Sequence, residues 1–144
     1  MRKIKYIVVH CTDTVASATV EAITRFWKNV RKWKLPGYHY LVKASGETVQ
    51  LLDEATPSNG VLGFNSECIN ISYIGGRTPD GKSADTRTPA QEESIFRMIL
   101  NLQKRYPGTE LKGHGEFPKQ GGRTCPNFNV RDWFKKYSEK VNPK

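Results

Sequence analysis

Short β-branched segments alternate with longer segments of helical periodicity along this chain. Residues 4–10 (IKYIVVH) and 68–75 (CINISYIG) have the composition of buried strands. Residues 38–43 and 48–52 flank a turn at Gly46 and predict a hairpin. A chain that interleaves strands with helices in this way is expected to form an α/β sheet covered on its faces.

Three segments have helical signals. Ser17 or Thr19 is the candidate cap of a helix running to about Trp33, with a one-sided apolar stripe. A second helix starts at Thr88-Pro89-Ala90-Gln91, which places Thr at the N-cap, Pro at the first helical position and Gln at the third. A third, over about 130–140, is capped by Asn129.

The predicted element order is β-α-β-β-β-α-β-α, with a short strand just before His114. We therefore expect the α/β class, with a mixed central sheet of about five strands flanked by about three helices. The 144 residues fit one domain, 1–144, whose core covers about 4–137.

Charge and hydropathy narrow the function classes. Lys and Arg number 23 against 14 Asp and Glu, a net charge of +9 that favours polyanions such as nucleic acid, anionic lipid or a bacterial wall without choosing among them. No nucleic-acid-binding motif is present, so no specific nucleic-acid partner is expected. The apolar runs are too short for a transmembrane segment or a signal peptide, which predicts synthesis in the cytoplasm.

The histidines and cysteines offer one candidate site. His10 and His114 follow predicted strands, and Cys125 comes eleven positions after His114. Two imidazoles and a thiolate suit zinc, and three protein ligands leave a fourth position open, as in catalytic sites. A histidine at a strand end is more often a structural hydrogen-bonding residue and a lone cysteine more often a packed one, so the spacing alone indicates no more than a possible metal site.

Seven short motifs carry a family resemblance. Together they resemble the phage-type N-acetylmuramoyl-L-alanine amidases, a zinc amidase family that includes the peptidoglycan recognition proteins. In chain order they are YIVVHCT (6–12), GYHYLV (37–42), GFN (63–65), INISYIGG (69–76), TPAQ (88–91), GHGE (113–116) and CPNF (125–128).

The resemblance implies a set of site residues. The zinc ligands would be His10, His114 and Cys125, and the active-site tyrosine would be Tyr38. The basic catalytic residue, a lysine in phage enzymes, falls on Arg123, and Lys119 is the alternative because the segment before Cys125 is longer than in short phage members. Asn65 would either contact substrate or cap its loop. Many members carry a histidine in the loop matching 57–63, and this chain has none there.

Strand alternation bears on the choice between Tyr38 and His39. Successive side chains of a strand face opposite sides of the sheet. If Tyr38 faces the site, His39 is expected to face away together with Leu41, which makes His39 a structural residue.

The resemblance also implies an activity. It is zinc-dependent hydrolysis of the amide joining N-acetylmuramic acid to L-alanine in peptidoglycan, in an endolysin that reaches the cell wall after release. A secretion-system effector delivered to the wall and a cytoplasmic recycling enzyme are other settings for the same activity. A monomer is expected. Two alternatives are a non-catalytic peptidoglycan-binding module, which commonly lacks the cysteine ligand, and a phage regulatory interaction protein.

Overall fold

The computed structural model describes residues 2–142 and contains one mixed five-stranded sheet. The strands are β1 (Tyr6–Cys11), β2 (Tyr40–Val42), β3 (Thr48–Gln50), β4 (Cys68–Tyr73) and β5 (Glu110–Gly113). The helices are α1 (Val20–Asn29), α2 (Pro89–Arg105) and α3 (Val130–Val141), with short 3₁₀ turns at Asn65–Glu67 and His114–Glu116. The predicted fold class is confirmed.

The sheet order is β3-β2-β4-β1-β5. β1 pairs in parallel with both β4 and β5, and β2 is parallel to β4. Only β3 runs antiparallel, as the second strand of the predicted hairpin, whose turn residue Gly46 has a φ of 92°. Because β1 is central, its carboxyl end lies between the ends of two neighbouring strands.

The sheet is covered on both faces. On one face α2 and α3 pack on the alternate positions Ile7, Val9 and Ile71, which are fully buried. On the other face α1 contributes Ile23 and Trp27 to a smaller cluster. The long segment between β3 and β4 covers the rest of that second face. No helix among residues 2–142 is long and apolar enough to cross a membrane.

The helix starts follow the local signals, but α1 ends earlier than expected. Thr19 is its cap, accepting from the Ala22 N–H at 3.1 Å. The helix ends at Asn29 rather than near Trp33 because Lys32 adopts a left-handed conformation with a φ of 61°. The Trp33 N–H then donates to the Trp27 carbonyl at 3.0 Å, and the two indole rings pack together.

Glu54 anchors the loop between β3 and β4 to the end of α2. Its carboxylate accepts from both terminal nitrogens of Arg105, at 2.6 and 2.9 Å, and from the hydroxyls of Tyr106 and Tyr40. Burial alone would raise the pKa of Glu54, but the hydrogen bonds from Arg105, Tyr106 and Tyr40 lower it to about 2. The carboxylate therefore stabilises the folded state in its charged form.

We predict that Glu54→Gln lowers the free energy of unfolding by about 2 kcal/mol at pH 7, less than for a fully buried pair because Arg105 is 45% exposed. The difference from wild type should narrow as the pH falls below the ordinary value of 4.5 toward 2, where wild-type Glu54 itself becomes protonated. Urea denaturation at several pH values measures it. Glu47→Gln, which removes an exposed pair with Lys43, is the control, and an equal effect of both changes would contradict the prediction.

Candidate metal centre

Three side chains from distant parts of the chain meet at the carboxyl end of β1. One ligand atom each from His10, His114 and Cys125 lies within 4.8 Å of the others. His10 is the fifth residue of β1, and His114 directly follows β5, the strand paired beside it. Parallel pairing thus brings together two histidines that are far apart in sequence.

The backbone holds Cys125 against the end of β1. Its Sγ accepts from the Cys11 N–H at 3.1 Å, and its carbonyl accepts from the Gly115 N–H at 2.9 Å. The next residue, Pro126, is fixed by its carbonyl, which accepts from the buried Tyr73 hydroxyl at 2.7 Å. These contacts fix the thiol relative to both histidines.

Gly115 is needed because two backbone segments nearly touch there. A Cβ on Gly115 would lie 2.2 Å from the Arg123 carbonyl oxygen and 3.3 Å from that of Cys125. A side chain at this position would push the segment that carries Cys125 away from the strand end.

His10 has an unsatisfied nitrogen that faces this cluster. The ring is fully buried, and its Nδ1 has no hydrogen-bond partner among residues 2–142. Its Nε2 lies 2.7 Å from the Asn70 Oδ1, an acceptor, so Nε2 carries the proton and Nδ1 has a free lone pair. A buried acceptor without a partner is costly, and a metal ion would satisfy it.

Gln120 fixes the second imidazole in the same way. Its amide nitrogen donates to the carbonyls of Leu62 and Pro118, at 2.8 and 3.1 Å. Its Oε1 must therefore face the His114 Nε2, which lies 3.0 Å away and donates to it. The other nitrogen of His114 is left as a lone pair, which is the form that binds metals.

The local electrostatics keep both rings neutral. Burial lowers the pKa of His10 well below its usual value, and the neighbouring His114 and Arg123 lower it further. Burial and Arg123 likewise lower the pKa of His114. The Cys11 thiol and burial raise the pKa of Cys125. Two neutral imidazoles and one thiol that a cation would deprotonate fit a zinc ion.

Two of the candidate ligands, His114 and Cys125, line a cleft of about 820 Å³, while His10 is buried beside them. Tyr38 and Arg123 line this cleft beside the candidate ligands. The Tyr38 ring lies 4.8 Å from the His10 ring, and its hydroxyl donates to the Cys11 carbonyl at 3.2 Å. Burial raises the pKa of Tyr38, so its hydroxyl is a hydrogen-bond donor at neutral pH. The Arg123 guanidinium supplies a cation at the same place.

Two of the candidate residues lie outside the cleft lining. The Asn65 Oδ1 accepts from the Val61 N–H at 2.7 Å, so its side chain caps its own loop. Both Lys119 and Arg123 are exposed, but Arg123 lines the cleft and Lys119 does not. Of the two candidates for the basic position, the geometry favours Arg123.

His39 is buried but does not line the cleft. Its Nδ1 accepts from the Asn70 backbone N–H at 3.0 Å, and its Nε2 donates to the Thr56 carbonyl at 2.9 Å. The alternation argument was wrong in one respect, because Leu41 belongs to the apolar cluster on which Tyr38 packs. Tyr38 and His39 precede β2, so the strand alternation does not extend to them.

Asn70 and Gln120, which accept hydrogen bonds from the Nε2 atoms of the two histidines, were not predicted from the sequence. Asn70 could have been identified from the sequence, because an asparagine inside the apolar strand CINISY needs hydrogen-bond partners once it is buried. Gln120 could not have been identified in this way, because it lies in an irregular loop, where a polar residue is expected.

Comparison with known proteins places the chain among cell-wall amidases. The family model described as N-acetylmuramoyl-L-alanine amidase matches residues 1–128. The endolysin of Escherichia phage T7 is 30% identical over 131 residues, which cover 90% of this chain and 85% of that protein. The endolysin of Klebsiella phage KP32 is 28% identical with the same coverage.

Solved structures agree on the fold. The endolysin of Thermus scotoductus bacteriophage Ph2119 matches with a TM-score of 0.78 at 26% identity, covering 94% of this chain and 86% of that one. Drosophila PGRP-LB matches with a TM-score of 0.70 at 16% identity, covering 100% of this chain and 88% of that one. The second likeness concerns the fold alone.

We predict that Gly115→Ala weakens zinc binding about tenfold or more, because the new methyl displaces the segment carrying Cys125. Competition with a chromophoric chelator measures the affinity. The control is Gly108→Ala, where an added Cβ meets open space and only the backbone is strained, by about 1 kcal/mol. Equal zinc affinity in the two variants would show that the close approach at Gly115 does not position the thiol.

Proposed function

Since this chain belongs to the N-acetylmuramoyl-L-alanine amidase family and is an amidase of peptidoglycan, we propose that it works as a zinc enzyme. His10, His114 and Cys125 would hold the ion. The observation that carries this proposal is the meeting of their three ligand atoms within 4.8 Å, with the buried Nδ1 of His10 lacking any partner among the described residues. The domain would comprise residues 1–144.

The bond cut would be the amide between the lactyl group of N-acetylmuramic acid and L-alanine. When bound, zinc activates water at neutral pH and draws electron density from a carbonyl oxygen. Three protein ligands would leave the ion able to bind a water molecule or the substrate as well. Retention of Cys125 favours an enzyme over a non-catalytic peptidoglycan-binding module.

Tyr38 and Arg123 would act on the oxygen of the scissile amide as it becomes negatively charged. Tyr38 is protonated at neutral pH, so it can donate a hydrogen bond to that oxygen. Arg123 brings a fixed positive charge, which stabilises an oxyanion but does not transfer a proton. In the absence of substrate the Tyr38 hydroxyl donates to the Cys11 carbonyl, which keeps it beside the site.

The volume of the cleft, about 820 Å³, would accommodate a segment of a polymeric substrate. Its lining combines residues of α1 and Trp33 with the loop residues Asn59, Gly60 and Gly122–Cys125. An endolysin that acts on the cell wall is the role that the phage relatives support. The net charge of +9 would add attraction to anionic wall polymers.

We predict that Cys125→Ser abolishes stoichiometric zinc binding and reduces amide hydrolysis at least about a hundredfold, since one of three ligands is lost. Elemental analysis of the purified protein and mass spectrometry of released muropeptides measure the two effects. Cys68→Ser is the matched control, because Cys68 lies in a separate apolar cluster. Full activity of Cys125→Ser in the presence of a chelator would end the zinc proposal.

A second prediction separates the two basic candidates. Arg123→Ala should lower kcat about 10²–10³-fold with a smaller change in KM, as expected for loss of an oxyanion-stabilising group. Lys119→Ala should change kcat less than twofold, because its side chain lies outside the cleft lining. Turnover of a defined muropeptide measures both. A larger loss of kcat in Lys119→Ala than in Arg123→Ala would assign the catalytic role to Lys119 instead.

A further inference from the structure

Asn70 is a buried amide in the middle of the apolar strand β4. Its side chain is fully buried, and its neighbours in the sequence are Ile69 and Ile71. Its Oδ1 lies 2.7 Å from the His10 Nε2, and its Nδ2 donates to the Ser58 hydroxyl oxygen at 2.8 Å. An amide at a core position is costly unless both ends are satisfied, and here both are.

The direction of the Asn70–His10 hydrogen bond decides which nitrogen of the ring is a lone pair. With the proton on Nε2, the ring donates to Asn70 and presents Nδ1 to His114 and Cys125. With the proton on Nδ1, that N–H would be buried without a partner among residues 2–142, and the Asn70 Oδ1 would face a lone pair. With Oδ1 facing Nε2, the first arrangement leaves one buried group without a partner, the Nδ1 lone pair, and the second leaves two, so the first is favoured.

We infer that Asn70 is a positioning residue for the metal centre: it holds His10 in the tautomer whose Nδ1 faces the other two ligands. The inference rests on the proposed zinc function. The Asn70 side chain accepts from the His10 Nε2 as the Gln120 side chain accepts from the His114 Nε2. Both imidazoles are therefore oriented by neutral amides rather than by carboxylates. An amide fixes the ring orientation without adding negative charge to the site.

Gly60 leaves the space that the Asn70 amide occupies. A Cβ on Gly60 would lie 2.5 Å from the Asn70 Cγ and 2.6 Å from its Nδ2. Three atoms of one side chain account for the tight space, so the requirement for glycine comes from the Asn70 amide. The loop that carries Ser58 and Gly60 therefore closes directly on Asn70, and the positions should be coupled.

The test compares Asn70→Leu with Asn70→Asp. Leucine has nearly the same size but no acceptor, so we expect zinc affinity to fall about 10–100-fold in chelator competition. Aspartate can still accept from the His10 Nε2, so Asn70→Asp should bind zinc at least as tightly as wild type. Asn101→Leu, at an exposed asparagine of α2, is the control.

A direct readout is the tautomer of His10 in the metal-free protein. Nitrogen-15 NMR of the imidazoles should show the Nε2–H form in wild type and in Asn70→Asp, and loss of that form in Asn70→Leu. A purely structural role would change stability and leave the tautomer as it is. The same Nε2–H form in folded Asn70→Leu, with wild-type zinc affinity, would overturn the inference.

A double-mutant cycle keeps the test informative if Asn70→Leu fails to fold. Gly60→Ala should weaken zinc binding about tenfold in the wild-type background and have little further effect in Asn70→Ala, where the Cγ is gone. Equal effects in both backgrounds would contradict the coupling. A wild-type protein that binds no zinc would refute the proposed function instead, while the metal-free tautomer would still test Asn70.

Discussion

Parallel pairing of β1 with β5 is the constraint on which the site depends. It places the end of His10's strand beside the end of the strand that leads into His114. The hydrogen bond from the Cys11 N–H to the Cys125 Sγ then adds the third group from the same strand end. Because β1 pairs with β4 on one side and β5 on the other, the backbone that carries His10 is hydrogen-bonded from both sides.

Around that strand end the molecule uses neutral hydrogen-bonding groups in place of charges. Asn70 and Gln120 satisfy the outer nitrogens of the two imidazoles, while burial and Arg123 keep the rings uncharged. The carboxylates are used elsewhere: Glu54 ties its loop to α2, and Glu116 accepts from the Gly113 N–H and pairs with Arg131. Asp13 lines the cleft but pairs with Arg77 at 2.9 Å, and Arg123 forms no ion pair among residues 2–142, which suits stabilisation of an oxyanion.

Local signals in the sequence predicted the elements well, because they act over a few residues. Thr88 and Gln91 form the expected reciprocal cap of α2, and Gly46 sits in the expected turn. The end of α1 was missed because Lys32 adopts a left-handed conformation, after which Trp33 packs on Trp27. The convergence of the ligands came only from family resemblance, since no local pattern brings together residues over a hundred positions apart. The contact between Gly60 and Asn70 could not be predicted from the sequence, because it depends on how closely the folded loop approaches the Asn70 side chain.

Helix α1, which contributes to the cleft lining, buries fewer of its side chains than α2 on the opposite face of the sheet. Only Ile23 and Trp27 of this helix are buried, while Phe26 is 47% exposed. Elements with little buried apolar surface open at a lower free energy than the core. Among the elements around the cleft, α1 is therefore expected to open before β1, whose residues Ile7 to Cys11 are all buried and whose end carries His10.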